Sequence, residues 1–457
     1  MNIWEKYRPE LVTDLYELTM ASSYLREGMN GEATFSLFIR DYPKNRNYFV
    51  AAGVHHFVEM ATEMRFNDES LAYLSSLGNL PKDFLDYLRN FRFTGSIRAI
   101  PEGRIFFTQE PVLEVTAPII EAQILETLAI NTIQLETMLA GKAARCIEAA
   151  QGRGLIDFGL RRTHGVDAGL KAARASYLTG FLGTSNVLAG KIYGIPVFGT
   201  MAHSYVTSFP REIDSFEAYA KSFPDNTVLL IDTYDTLCGA GKAIETARRL
   251  KAQGKSLRGV RLDSGDLVEL SRGVRRLLVE AGFPDVKIMA SGSLDEFSIR
   301  ELLSSGAELD ILAVGTKLGV SADAPYFDIA YKLVEYNGRP VLKLSTGKKT
   351  WVGKKQVYRF YDQHEEMQED VLDLLSDKHP EGEPLLHEFV SGGNMVRPLE
   401  PLDAIRARFT KEFKRLPQKY RAIDSKEIYP VRISPILQKL DQEIAAQKRR
   451  EEIDGIC

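Results

Sequence analysis

The sequence predicts an α/β protein built on an irregular, roughly seven-stranded parallel α/β barrel. An N-terminal α+β domain precedes the barrel, and a C-terminal extension packs back. Three observations carry this. Seven short apolar runs fall between residues 155 and 316, and each ends in small, hydroxyl or acidic residues. Helix-like segments lie between most of them. The units recur about every 20–30 residues, the spacing of alternating strand and helix in a parallel sheet. Seven units over about 160 residues suggest a closed or nearly closed barrel, whose strand-end loops share one face where chemistry gathers. The expected limits are residues 1–125 for the first domain, 126–350 for the barrel and 351–457 for the extension.

Taken in order, "LVTDLYELTMASSYLREG" (11–28) reads as a helix ended by Gly28. Leu11, Leu15, Leu18 and Leu25 form one apolar stripe, with Tyr16, Met20 and Tyr24 beside it. "GEATFSLFIR" and "YFVAAG" read as strands. Residues 93–118 alternate and are broken by Pro-Glu-Gly, as in an antiparallel region. Residues 121–150 form a long helix with Ile124, Leu128, Leu135 and Leu139 on one face. The seven runs follow: "LIDFG", "FLGTS", "VFGT", "VLLIDT", "VRLDSG", "KIMASG" and "ILAVGT". Beyond them, Asn337-Gly338 marks a hairpin. Residues 346–362 are basic, residues 362–384 are acidic and suit a surface segment, and residues 401–416 and 435–453 form terminal helices.

Composition narrows the function. Of 457 residues, 44% are hydrophobic, which suits a packed globular chain. A net charge of -4 implies no broad basic face, so nucleic acid is not a favoured partner. Cys146, Cys238 and Cys457 are odd in number and far apart, against both a disulfide framework and a cysteine zinc site. The N-terminus lacks the apolar stretch of a signal peptide, and no run is long enough to span a membrane. The expectation is a soluble cytoplasmic protein.

The polar tails carry the chemistry. Ser291-Gly292 and Gly315-Thr316 are glycine turns after strands, able to aim amides and a hydroxyl at one phosphate. Ser293 and Glu296 read as a capping box opening a helix. In "VRLDSGD", alternation points Arg261 and Asp263 to one side, where Arg261 suits a carboxylate or phosphate and Asp263 suits sugar hydroxyls. Phe158 offers an aromatic face, and Arg161 and Arg162 offer positive charge. His203 follows one run closely, and Asp232 ends the next, so the acid could fix the ring tautomer. A packed, structural His203 remains the competing reading. No His-x-x-His or Cys/His cluster favours a metal there. His55, His56, His164, His364, His379 and His387 read as structural.

The ordered strings "LVTDLYELTM", "DFGLRRTHG", "FLGTSN", "GTMAHSYVTSF", "IDTYDT", "VRLDSGD", "ASGSLDE", "AVGT" and "KQVYR" resemble a nicotinate phosphoribosyltransferase, a type II phosphoribosyltransferase. They span about residues 11 to 359, and "PVRISP" is also similar. The resemblance implies transfer of phosphoribose from 5-phosphoribosyl 1-pyrophosphate (PRPP) to nicotinate, with Mg²⁺, coupled to ATP hydrolysis through a phosphohistidine. His203 matches that histidine, and Asp232 would orient its ring. Tyr16, Phe158, Ser185, Thr200 and Arg261 match nicotinate-binding positions, with Tyr16 supplied by the other subunit of a homodimer. Arg161, Asp263, Ser291, Gly292, Gly315 and Thr316 match positions around the phosphoribosyl group, while the metal ligands stay unassigned. Ser185 stands where the nicotinamide-using relatives carry an aspartate, which favours the acid substrate. Nicotinamide- and quinolinate-type transferases on the same frame are the alternatives. The chain departs from the family at Trp351-Val352, where a proline is expected, and this bears on the loop of Lys348 and Lys354.

Overall fold

The computed structural model describes residues 9–345 and 350–454. The chain divides into two units, Lys142–Asp323 and a discontinuous one made of Met1–Gly141 with Ala324–Cys457.

The unit Lys142–Asp323 holds one parallel sheet. Its strands are β1 (Gly154–Asp157), β2 (Gly183–Thr184), β3 (Thr227–Leu230), β4 (Leu257–Leu262), β5 (Lys287–Ala290) and β6 (Ile311–Val314). They lie in the order β2-β1-β6-β5-β4-β3. The seven runs therefore give six strands in a half-barrel. The exception is "VFGT", whose contribution is a single bridge from Val197 to Thr184. Pro196 precedes it without an amide to donate, and Val197 and Phe198 are 48% and 37% exposed, so neither a ladder nor burial holds it as a strand.

A helical segment follows each strand. The clearest is Leu267–Glu280, where Asp266 caps the start by accepting from the amides of Val268 and Glu269. Leu267, Ser271, Val274 and Leu278 recur at helical spacing and are buried. Register then aligns the strand ends. Thr184 pairs with Asp157, Asp157 with Val314, Ala290 with both Leu312 and Leu262, and Leu230 with Arg261. The residues just beyond these partners consequently share one edge.

The discontinuous unit is built on antiparallel strands. Glu32–Ile39 pairs with Pro111–Pro118 on one side and Ile329–Tyr336 on the other. The hairpin forms at Asn337-Gly338, both with positive φ (50° and 71°), as a two-residue turn requires. A four-stranded sheet holds Lys355–Tyr361 beside Met367–Leu374. The second of these comes from the acidic segment expected at the surface. Asp370 is instead fully buried, because both its carboxylate oxygens are held by Arg359 at 2.9 and 2.6 Å. The first helix, Leu15–Arg26, also turns differently from its apolar stripe. Leu15 is exposed, while Glu17 is buried and accepts from the Thr13 hydroxyl and the Thr127 amide. Among the described residues, no helix is long and apolar enough to cross a membrane.

Candidate active site

The site builds from the C-terminal edge of the parallel sheet. At the end of β1, Asp157 is fully buried and accepts from the Gly159 amide (2.8 Å) and the Thr184 hydroxyl (2.6 Å). Burial raises its carboxyl, and those two donors oppose the shift. Asp157 thus ties the ends of β1 and β2 together. A Cβ on Gly315 would lie 2.9 Å from the Phe158 carbonyl oxygen, so the loops after β6 and β1 meet backbone to backbone. Phe158 is half-buried beside them, its amide on Val314. Ser185 is half-buried after β2, and its amide donates to the Asp157 carbonyl at 2.8 Å.

Arg261 lies on β4 and Asp263 just beyond its end, close enough for the Asp263 charge to be felt at Arg261. The Arg261 guanidinium donates to the Thr200 hydroxyl at 2.6 Å. Burial pushes its pKa down against the pull of Asp263 and Asp232. Its Nε is buried with no hydrogen-bond partner among the described residues. Asp263 accepts from the Ser291 hydroxyl. A Cβ on Gly292 would stand 2.2 Å from the Asp263 carbonyl oxygen, and Gly292 has φ +95°, so only glycine fits there.

His203 opens the short helix His203–Thr207. Its Nδ1 lies 3.1 Å from the Thr233 hydroxyl, and its Nε2 lies 3.9 Å from Asp263 Oδ2, beyond hydrogen-bond reach. This corrects the expected partner, because Asp232 does not bond to the ring. Its Oδ2 instead accepts from the Asp263 amide (2.8 Å) and the Ser264 hydroxyl (2.7 Å), bracing the loop after β4. Its Oδ1 is buried and without a hydrogen-bond partner among the described residues.

Two further corrections concern the glycine turns. The capping box is formed by Asp295 and Ser298, not Ser293 and Glu296. Ser293 takes a left-handed φ of 54°, so the chain turns once more before the helix Glu296–Ser304 begins. Thr316 is reached by Arg162 at 3.3 Å, while Arg161 is exposed and its charge is felt at Arg261. Thr233 and Asp157 are the contributors that sequence reasoning passed over. Both sit within strings singled out for neighbouring residues. Tyr16 belongs to the discontinuous unit, 47% exposed on its helix, with burial and Glu126 raising the phenol. Lys354 pairs with Glu32 at 2.8 Å and the Trp351 indole donates to Gln109, whereas Lys348 lies outside the described residues. Among the described residues, no group of three His, Cys, Asp or Glu side chains could by itself hold a metal.

Comparison with known proteins agrees with this frame. Models of the nicotinate phosphoribosyltransferase N-terminal domain, family and C-terminal domain match residues 11–134, 154–370 and 377–441. A nicotinate phosphoribosyltransferase of Mycobacterium tuberculosis is 46% identical over 426 residues, covering 93% of this chain and 91% of its own length. One of Bacillus subtilis is 39% identical over 413 residues, 88% of this chain and 81% of that one. The crystal structure of human nicotinic acid phosphoribosyltransferase superposes with a TM-score of 0.85 at 30% identity, covering 95% of this chain and 100% of that one. Six parallel strands with this ordered set of residues at their ends, and matches along nearly the whole length, show that the chain is an enzyme belonging to the nicotinate phosphoribosyltransferase family.

Proposed function

We propose that this enzyme condenses nicotinate with PRPP to give nicotinate mononucleotide and pyrophosphate in NAD salvage, coupled to ATP hydrolysis through phosphorylated His203. The observation that carries the reading is Arg261. It is a half-buried cation with one hydrogen bond to Thr200 and an unused Nε, on the same strand end as Asp263. That is a socket for a small anion. The nicotinate carboxylate fits it, with Thr200 and Ser185 as hydroxyl partners. Phe158 supplies one flat face for the ring, and Tyr16 of a second subunit in a homodimer supplies the other.

The reaction asks mainly for positioning. The pyridine nitrogen attacks C1 of the ribose, the C1–oxygen bond breaks, and its electron pair leaves with pyrophosphate. The ring nitrogen becomes a pyridinium, so no proton is moved. Asp263 accepts from ribose hydroxyls, and Ser291, Gly292, Gly315, Thr316 and Arg161 surround the phosphates. Magnesium suits the donor set. Asp232 Oδ1 is a buried oxygen without a partner, Asp263 lies beside it, and Mg²⁺ takes one or two carboxylates plus substrate phosphates. Asp232 and Asp263 would hold the ion, which would neutralise charge on pyrophosphate. Thr233 holds Nδ1 of His203 and leaves Nε2 to take the γ-phosphoryl group of ATP, with ADP leaving. Hydrolysis of that bond then returns free histidine.

The test is a product assay with nicotinate and PRPP, with and without ATP, on wild type and His203→Ala. Wild type is expected to form nicotinate mononucleotide faster with ATP, and the variant to lose the ATP effect more than basal transfer. Equal ATP stimulation in both would remove the phosphohistidine. Product from nicotinamide or quinolinate in place of nicotinate would reassign the substrate.

A further inference from the structure

We propose that Lys142 is a positioning residue for the phosphoribosyl pocket, pinning the two glycine loops to one another from inside the unit. This rests on the reading above that Ser291-Gly292 and Gly315-Thr316 face the phosphates.

Lys142 lies on the helix Glu126–Ala150, far in sequence from either loop. Its ammonium contacts two carboxylates. One is Glu296, the first residue of the helix that follows Ser291-Gly292. The other is Asp323 at 2.8 Å, at the far end of the segment that follows Gly315-Thr316. Arg145, one turn along, adds a 3.0 Å bond to Glu296. The ring of Phe297 lies 5.9 Å from the Lys142 ammonium and 5.5 Å from the Arg145 guanidinium. The four charged side chains are between 0% and 4% exposed.

Two cations and two carboxylates balance, but a buried ion cluster is a poor way to gain stability over apolar packing. Its geometry suggests a different use. Each loop contains one non-glycine residue in the left-handed region, Ser293 at φ +54° and Ser321 at +43°. Such residues persist where the surroundings over-determine the backbone. Lys142 supplies that constraint to both loops at once. A second brace sits nearer the surface, where Lys317 of one loop bonds Asp295 of the other at 2.8 Å. The two loops are thus cross-linked twice, once by a fully buried lysine and once by a half-exposed one.

The test compares Lys142→Met/Asp323→Asn, which keeps the cluster neutral, with Lys317→Met and Lys317→Arg. PRPP binding is measured by calorimetry with Mg²⁺, alongside KM for both substrates. The double variant is expected to weaken PRPP binding and raise its KM by about tenfold or more, since small displacements of positioned groups are costly. KM for nicotinate should stay within about twofold. Lys317→Met should shift PRPP binding the same way by less, and Lys317→Arg should restore it. A folded double variant with wild-type PRPP affinity overturns the proposal, as does a parallel rise of both KM values. If the double variant fails to fold, the Lys317 pair decides: unchanged PRPP affinity in Lys317→Met overturns the coupling of the loops. A wild type that binds PRPP but forms no nicotinate mononucleotide removes the functional reading alone, and the binding arm still decides Lys142. A wild type that binds no PRPP removes both.

Discussion

Arg359 and Arg261 are the same residue type beside two acids each, in different units, and they are treated in opposite ways. Arg359 is fully buried, bonded to Asp370 twice, to Glu412 at 2.9 Å and to the Ile105 carbonyl. Burial opposes its charge, yet Asp370 and Glu412 override that and hold its pKa well above the usual value. Arg261 has one bond to a neutral hydroxyl, an unpartnered Nε, and a pKa pushed down by burial. A guanidinium with its donors filled holds a fold together. One left with unused donors is available to a ligand.

The comparison can be broken in order of effect. Arg359→Met leaves Asp370 buried without its cation and Glu412 with Arg104 alone, and denaturant unfolding should show a loss of about 3–5 kcal/mol. An unchanged midpoint would mean that those contacts are not structural. Arg261→Met should leave the unfolding midpoint nearly alone and lower kcat/KM for nicotinate about 10–100-fold, the scale of one charge-assisted hydrogen bond. Parallel losses in stability would place Arg261 with Arg359. Ser185→Asp sets a carboxylate against the same substrate anion and should cut kcat/KM for nicotinate about tenfold. Unchanged turnover there would end the account of acid selectivity.

The smallest effect is read from pH. Burial would raise the Glu383 carboxyl, but the Arg104 guanidinium, bonded to it at 2.6 and 2.9 Å, holds it at about 2. A carboxyl lowered on folding gives stability that is complete above its unfolded value near 4.5 and is lost as pH falls toward 2. Glu383→Gln should therefore flatten the acid limb of stability between about pH 4.5 and 2, measured by thermal melts. An unaltered acid limb would show that this pair is screened by solvent.

Much of the parallel sheet could be read directly, because strand, polar tail and helix are local patterns. Asp266 and Asp235 cap the helices after β4 and β3 through neighbours in the chain. "VFGT" failed as a strand because it meets its neighbour through a single bridge and stays exposed, and sequence does not show that pairing. The acidic segment failed for a related reason. Asp370 reads as a surface residue until Arg359, on an adjacent strand, fills its oxygens. At the site, the residue types at the strand ends were legible, but their pairing was not. His203 bonds to Thr233 rather than Asp232, a choice set by side-chain direction over one residue. Lys142 lies 154 positions from Glu296, and no periodicity links them.

The single bridge at Val197 has a mechanical consequence. The segment carrying Thr200 and His203 joins the backbone pairing of the sheet at one bridge, with side-chain bonds from Arg261 to Thr200 and between His203 and Thr233 as further ties, unlike the loops after β4 and β5, which leave strands paired along several residues. Its five-residue helix can tilt without breaking a ladder. Under the proposed function, phosphorylation of a histidine mounted there would change its charge and let it reorient, while Asp263 and Gly292, gripped backbone to backbone, keep their two loops in register.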